Sequence, residues 1–400
     1  MSKGIGGSTA AAELASLEAW RDKAPAITVE ERQRRLDQAR RLMAATGANA
    51  LLINAGASLS YFTGISWGAS ERLVAMVLPL EGDPILICPA FERGSLTAEL
   101  VIAADLRLWQ EDEDPYLLVV DALQEHGAHR LALDPQAAFA IYAGLKRTGA
   151  AIEIIDATSI IDGCRSCKSA AELAVMQQAK NMTIEVHRRA ARILAPGITT
   201  GEVKYFIDQA HRAIGAAGGS SFCIVQFGRA TAFPHGLPGE QKLQEGDMVL
   251  IDTGCRIQGY HSDITRTYIF GNATAEQKRI WDLEHEAQAA AFDAIKPGLP
   301  CHVADDAARA VLAKGGLGPD YQLPGLPHRT GHGIGLAIHE APYLVRGEKT
   351  ALAPGMCFSN EPMIVVPDKF GVRLEDHMYV TETGAAWFTQ PQHSIDAPFG

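Results

Sequence analysis

Met248-Val-Leu-Ile-Asp252-Thr-Gly-Cys-Arg-Ile-Gln-Gly-Tyr-His-Ser-Asp263-Ile-Thr-Arg-Thr-Tyr-Ile-Phe270 sets two β-prone runs about a stretch with glycines at 254 and 259, which is the pattern of a hairpin. A turn centred between Ile257 and Gln258 places Asp252 directly opposite Asp263. A second stretch, Glu361-Pro-Met-Ile-Val-Val-Pro-Asp-Lys-Phe-Gly-Val-Arg-Leu-Glu375, repeats the design around the turn-forming Pro367-Asp-Lys-Phe-Gly371. Centred on Asp368, it sets Glu361 opposite Glu375. Directly opposed side chains have Cβ atoms roughly 4.5–5.5 Å apart, and like charges there repel. One such pair reads most simply as a solvated strand face. Two in one chain call for positive charge between them, and two divalent metals about 3.5–4 Å apart, bridged by carboxylates, supply it.

Between the hairpins lies Pro327-His328-Arg-Thr-Gly-His332-Gly-Ile-Gly-Leu-Ala-Ile-His339-Glu340, with three histidines in a glycine-broken, otherwise apolar segment. Glycines let the backbone approach a crowded centre. One neutral imidazole added to four carboxylates gives a mixed oxygen and nitrogen set, suited to Mn, Fe, Co or Zn rather than to a calcium cage.

Asp252-Thr-Gly followed by Asp263-Ile-Thr-Arg-Thr, then Gly331-His332-Gly-Ile-Gly with His339-Glu340, Glu361-Pro and Arg373-Leu-Glu375-Asp resembles the dinuclear metallopeptidase family that contains prolidase, aminopeptidase P, methionine aminopeptidase and the metal-free creatinase. The resemblance runs from about residue 30 to about residue 390, and its specific motifs lie in the second half. It implies five metal ligands, Asp252, Asp263, His332, Glu361 and Glu375, with Asp263 and Glu375 bridging. It also implies two divalent ions per subunit (Zn, Mn or Co) and a homodimer. Glu361 is then the group that takes the proton of the attacking water. His235, in Phe233-Pro-His-Gly, and His328 and His339 bind the substrate carbonyl, the tetrahedral intermediate and the leaving amine. Two cations sharing a water give a hydroxide nucleophile near neutral pH and hold an oxyanion, so amide hydrolysis is the expected chemistry.

Arg373 lies two residues before Glu375, and residues i and i+2 of a strand share a face. Its guanidinium therefore points into the site, either to clamp a substrate carboxylate or to pair with a ligand carboxylate. A clamp fits a short substrate, an Xaa-Pro dipeptide cut at its imide bond. The alternatives are an aminopeptidase P acting on longer peptides, a metal-using hydrolase or lyase of a small zwitterion on the same scaffold, and a non-catalytic peptide-binding module. One departure stands out. Prolidase-like sequences carry Tyr in a Tyr-x-x-Ile-Val pattern, where this chain reads Phe222-Cys-Ile-Val225, so a phenol that bonds a ligand carboxylate is missing.

The 400 residues exceed one ordinary core. A net charge of −11 without a basic run argues against a nucleic-acid partner. The absence of an apolar leader or a spanning run points to a cytoplasmic protein with no membrane role. Seven cysteines, an odd number, fit free thiols in a reducing compartment. Cys164-Arg-Ser-Cys167 lacks the second ligand pair of a structural zinc.

Residues 13–24 and 32–46 read as helices, the second opened by Thr28-Val-Glu-Glu31. Strands at 50–54, 73–78, 84–88, 130–133 and 152–155 alternate with helices at 116–126 and 137–147, an α/β pattern. Lys168-Ser-Ala-Ala-Glu172 then opens a helix to about Leu194, and Thr199-Thr-Gly-Glu202 opens another to about Ala217. Two more span 274–295 and 301–314. The expected organisation is a creatinase/prolidase-like α/β domain over residues 1–166 and a catalytic domain over 167–400. Four helices on a curved, mainly antiparallel sheet make the second an α+β layout, matching the pita-bread domain that the resemblance implies.

Overall fold

Short apolar runs alternating with amphipathic stretches build one mixed sheet in the first half. The structure, a computed structural model, describes residues 4–399. Its contacts divide the chain into two bodies, one Ala26–Arg165, the other the residues up to Pro25 together with those from Ser166 onward. In the first body, β1 (Ala50–Asn54), β2 (Ala75–Pro79), β3 (Ile85–Pro89), β4 (Asp105–Trp109), β5 (Arg130–Leu133) and β6 (Glu153–Asp156) lie in the order β4-β3-β2-β1-β5-β6. The pairs β1–β2 and β2–β3 are antiparallel, and β3–β4, β1–β5 and β5–β6 are parallel. β1 to β3 are buried along their whole length, so they read as unbroken apolar runs. β4 is exposed or half-buried over four of its five residues, which is why its sequence carries no strand signal. The Val29–Thr46 helix starts where the Thr28 side chain accepts from the Glu31 N–H and stops at Gly47, φ 73°.

Residues before Pro25, grouped with the first half on sequence, pack with the second body instead. Their helix spans Ala10–Ala15 rather than 13–24, and Glu13 pairs with Arg189 at 3.1 Å.

In the second body the helix starts follow their side-chain signals. Ser169 with Glu172 and Thr199 with Glu202 form reciprocal capping boxes for the Ala170–Arg192 and Thr200–Ile214 helices. Both helices pack on β7 (Ser220–Phe227) and β8 (Met248–Ile257) through Met182, Val186, Phe206, Val225 and Ile251. β8 pairs with the short β9 (Tyr260–His261) and with β10 (Ile264–Ile269), giving the order β10-β8-β7. A second sheet runs β12-β11-β13-β16-β17, with β11 (Gly331–Gly333), β12 (Glu340–Leu344), β13 (Cys357–Asn360), β16 (Asp376–Val380) and β17 (Ala385–Trp387). Between β13 and β16 the chain makes the ribbon β14 (Met363–Val366) and β15 (Phe370–Arg373). The Ala275–Ala294 and His302–Lys314 helices cover this side, packing Ile280, Ala287, Ala308 and Leu312 with Met363, Val372 and Leu374. All the strand pairs of this body are antiparallel, as the α+β reading expects.

The first hairpin has a different register from the expected one. Its turn sits on Gln258-Gly259, both at positive φ (48° and 84°), as a two-residue type I′ loop requires. Asp252 therefore lies opposite Thr265, and Asp263 sits one step beyond the Ile264–Thr253 pair. The shift is two residues, so both aspartates stay on the same face.

The second hairpin has the expected register. Ser359↔His377 and Asn360↔Asp376 on one side and Met363↔Arg373 on the other belong to one continuous alignment in which Glu361 faces Glu375. The ladder is open at that pair. Pro362 has no N–H to donate, the Glu361 N–H goes to Thr330 O at 2.8 Å, and the Glu375 N–H goes to Thr265 O at 3.1 Å. The Gln288 amide fills the gap from the helix side, donating to Asn360 O at 3.2 Å and Leu374 O at 3.1 Å. Both glutamates thus leave their own ladder and are held by neighbouring segments.

Candidate metal centre

Strand ends from both sheets bring their acids together. Asp252, Asp263 and Glu375 are buried, as is the His332 ring. Glu361 Oε1 lies 3.1 Å from His332 Nε2, and Asp263 Oδ2 lies 3.9 Å from the same nitrogen. His332 Nδ1 donates to Gly333 O at 3.0 Å, which turns Nε2 toward the acids. Two groupings of possible ligand atoms, Asp263 with His332 and His339, and His332 with Glu361 and Glu375, each fall within 4.8 Å. A third joins Asp263, Glu375 and His377.

Burial pushes the carboxyls of Asp252, Asp263 and Glu375 up, the last two well above the usual range, with neighbouring carboxylates adding to both. Burial acts the same way on Glu361, but the hydrogen bond and charge of the His332 ring outweigh it and hold Glu361 down to about 2. Asp252 Oδ1, Asp263 Oδ1 and Glu375 Oε1 are buried without a hydrogen-bond partner. Native interiors seldom leave such atoms unpaired, and a charge buried alone is far costlier than a neutral group. The residues therefore fit a divalent cation centre, whose positive charge answers all three orphaned oxygens.

Arg373 differs from its reading as a substrate clamp. It is 3% exposed, and each guanidinium nitrogen has a protein partner: Nη2 pairs with Asp252 Oδ2, Nε donates to Thr265 Oγ1 at 3.0 Å, and Nη1 donates to Pro234 O at 3.1 Å. The strand parity that aims it at the site holds, but the ion pair with Asp252 takes the group that a substrate carboxylate would need. Through Pro234 it also ties the loop bearing His235 to Asp252.

The other histidines gather on the Glu361 side. His328 Nδ1 donates to Arg329 O at 2.7 Å, and burial lowers its pKa. The exposed His339 ring lies 4.1 Å from the His332 ring, centroid to centroid, and burial of its inner edge, then the His332 charge, lower it to about 4. His235 is exposed, and its charge acts on both His328 and His339. The Lys168–Glu340 ion pair, 2.6 Å and almost fully buried, anchors the turn beside His339.

Several residues of the centre are not evident from motif spacing alone. Thr265 donates to Glu375 Oε2 at 2.8 Å, a hydroxyl on a candidate ligand carboxylate in a chain whose Phe222 supplies none. Arg266 grips Asp376 through two bonds of 2.7 and 3.2 Å and donates to Glu375 O at 2.9 Å. Ser359 Oγ donates to Glu361 Oε1 at 3.1 Å while accepting from the His332 N–H at 2.9 Å. Arg266 and Asp376 stand inside the quoted motifs, so their positions are the one signal the sequence offered. Cys164 and Cys167 are free thiols, as are the other cysteines, and no described helix is long and apolar enough to cross a membrane.

Two sheets that bury carboxylates and an imidazole at one spot, with unsatisfied oxygens between them, give the donor set of a divalent-metal centre. The profile of metallopeptidase family M24 matches residues 174–382, and that of the creatinase/prolidase N-terminal domain matches residues 35–167. The chain is 36% identical over 367 residues to a probable dipeptidase, PepE, of Mycobacterium tuberculosis, covering 90% of this chain and 95% of that one. It is 32% identical over 344 residues to the Xaa-Pro dipeptidase of Lactobacillus helveticus, covering 84% and 92%. Among solved structures, the prolidase of Thermococcus sibiricus superposes with a TM-score of 0.83 at 28% identity, over 92% of this chain and 98% of that one. This chain belongs to metallopeptidase family M24, with a creatinase-type amino-terminal domain followed by a pita-bread domain.

Proposed function

We propose that the protein hydrolyses the imide bond of Xaa-Pro dipeptides at a centre of two divalent ions held by Asp252, Asp263, His332, Glu361 and Glu375. The observation that carries this reading is the set of buried carboxylate oxygens without partners around His332; relatives that are dipeptidases and an Xaa-Pro dipeptidase support the substrate class. When bound, such ions acidify a water and polarise a carbonyl. The chain's own groups do the rest. Glu361, which by the family resemblance is the base and whose Oε1 lies 3.1 Å from His332 Nε2, takes the water's proton, and that proton passes on to the proline nitrogen as the new C–O bond forms and the C–N bond breaks. His328, its tautomer fixed by Arg329 O, presents Nε2 to the substrate, and His235 and His339 line the open side.

With Arg373 taken by Asp252, the free carboxylate of a dipeptide needs another cation. Arg329 lies over the Tyr343 ring at 4.3 Å, has no carboxylate partner among the described residues, and its charge reaches His339; it is the group we assign to that carboxylate. Loss of the Arg373 clamp favours a second reading, an aminopeptidase P acting on longer Xaa-Pro peptides, whose proline carries no free carboxylate; a metal-using hydrolase or lyase of a small zwitterion at the same centre is the third. The deciding test is release of proline from Gly-Pro, Ala-Pro and Met-Pro beside a tripeptide, on stripped protein resupplied with Mn, Co or Zn. Metal-dependent cleavage of the dipeptides alone supports the dipeptidase; efficient tripeptide cleavage makes it an aminopeptidase P; no cleavage with metal bound moves the assignment to the zwitterion hydrolase. A cytoplasmic homodimer belongs to the same proposal, and sedimentation at working concentration tests its assembly.

A further inference from the structure

We propose that His377 is a sixth protein ligand of the metal centre, acting with Asp263 and Glu375. The inference rests on the metal centre proposed above and adds a second nitrogen donor beside His332. It starts from strand parity. Residues 373, 375 and 377 follow one another at the two-residue period of a strand and share a face, so the argument that aims Glu375 at the centre aims His377 there too. The sheet agrees: His377 is the ladder partner of Ser359, whose hydroxyl accepts from the His332 N–H and donates to Glu361. His332 and His377 thus flank the same serine.

The imidazole is completely buried, at 0% exposure, and neither ring nitrogen has a hydrogen-bond partner. Other buried histidines of this chain are pinned. His211 bonds Thr183 at 3.2 Å and Ser220 at 2.9 Å, and His187 bonds Ile264 O at 2.9 Å. His377 Nε2 stands 3.7 Å from Glu375 Oε1, too far for a hydrogen bond. Glu375 Oε1 and Asp263 Oδ1 are unpartnered as well, and the three residues offer ligand atoms within 4.8 Å of one another. One cation answers all three orphans. The nearby ammonium does not: Lys180 Nζ donates to His261 O at 3.1 Å and sits 4.7 Å over the Phe388 ring. Imidazole suits Zn, Co and Fe better than the oxygen-preferring Mg and Mn, so a second one shifts the centre's preference toward the former.

The test is X-ray absorption on the unmodified protein loaded with Co or Zn, which counts imidazoles per metal, followed by the same measurement and a chelator competition on His377→Gln and His377→Ala. The expected result is two imidazoles over two ions in the unmodified protein and one in each variant. One ion should be bound at least about 10–100-fold more weakly in the variants, the scale on which even supporting residues of metal sites act, and free imidazole should restore it in His377→Ala. One imidazole over two ions in the unmodified protein, or unchanged affinity in a folded variant, overturns the assignment of His377 alone. Failure of the unmodified protein to retain any ion overturns the metal centre itself.

Discussion

Replacing Arg373 by Met separates the two roles its position allows. The guanidinium is the buried partner of Asp252, and its other nitrogens serve Thr265 and Pro234. Removing one member of a buried, hydrogen-bonded ion pair costs about 3–5 kcal/mol, because the other charge is left uncompensated. With ~2 cal/mol/K of unfolding entropy per residue, over a body of about 260 residues, that is a fall of about 5–9 °C in the melting temperature of the metal-free protein. Metal supplies the charge that Asp252 then lacks, so the loss should shrink in the loaded protein. KM for an Xaa-Pro dipeptide should rise no more than its carboxamide analogue's, since the substrate carboxylate does not depend on this group. Calorimetry with and without metal, and kinetics on the dipeptide and its amide, read both. A KM that rises roughly 10–100-fold for the free carboxylate only, the size of a lost charged hydrogen bond, with an unchanged melting temperature, refutes the reasoning and restores Arg373 as the clamp.

Arg329→Ala should show the opposite split, with KM for the free dipeptide up about 10–100-fold, the amide unaffected and stability unchanged; equal effects on the two substrates remove Arg329 from that role. Metal-free protein should lose stability as pH rises from about 7 to 8, above the range where unfolded histidines titrate and where the lowered pKa values of His187, His211, His261 and His339 give the opposite slope. Asp252, Asp263 and Glu375 have folded pKa values raised by burial, so the folded state binds more protons than the unfolded one and its advantage disappears as pH rises through the raised values. The loaded protein should reverse this trend, because protons and cations compete for the same oxygens; thermal melts of both forms across this range check it, and a metal-free form that gains stability with pH contradicts it. Glu284, fully buried with neither carboxyl oxygen in a well-formed hydrogen bond, has its pKa pushed well above the usual range by burial, which a weak contact with the Leu374 backbone only partly offsets. Glu284→Leu should therefore raise stability by about 1–3 kcal/mol, with a gain that grows at higher pH, and a lower melting temperature would show that the carboxyl has an essential partner.

The sequence made the ligand face legible because hairpins write it in a two-residue code. Pro367-Asp-Lys-Phe-Gly371 fixes the second hairpin, and Asp368 at φ 62° closes it on the register that sets Glu361 against Glu375. Gln258-Gly259 is a weaker turn signal than Asn-Gly, since Gln seldom takes the positive φ of 48° found there, so the centre of the first hairpin could be misjudged by a residue. β4 carries no strand signal because its side chains are mostly half-exposed and Arg107 sits mid-strand, paired with Glu125. The partners of Arg373 lie in three segments far apart in sequence, and no local pattern could choose between a substrate and Asp252 as its partner.

Parity also explains why the two-residue shift in the first hairpin leaves the site's face intact. A one-residue slip would have turned Asp252 away from Asp263, whereas the two-residue shift leaves them diagonal neighbours on one face. The second hairpin tolerates no such freedom. Pro362 opens the ladder at the one pair where two carboxylates face each other, and Thr330, Thr265 and Gln288 take up the backbone groups released there. A ladder intact at that position would have pinned Glu361 and Glu375 to each other's backbone. The proline following Glu361 is thus part of the site's construction, acting through backbone hydrogen bonds rather than through its side chain.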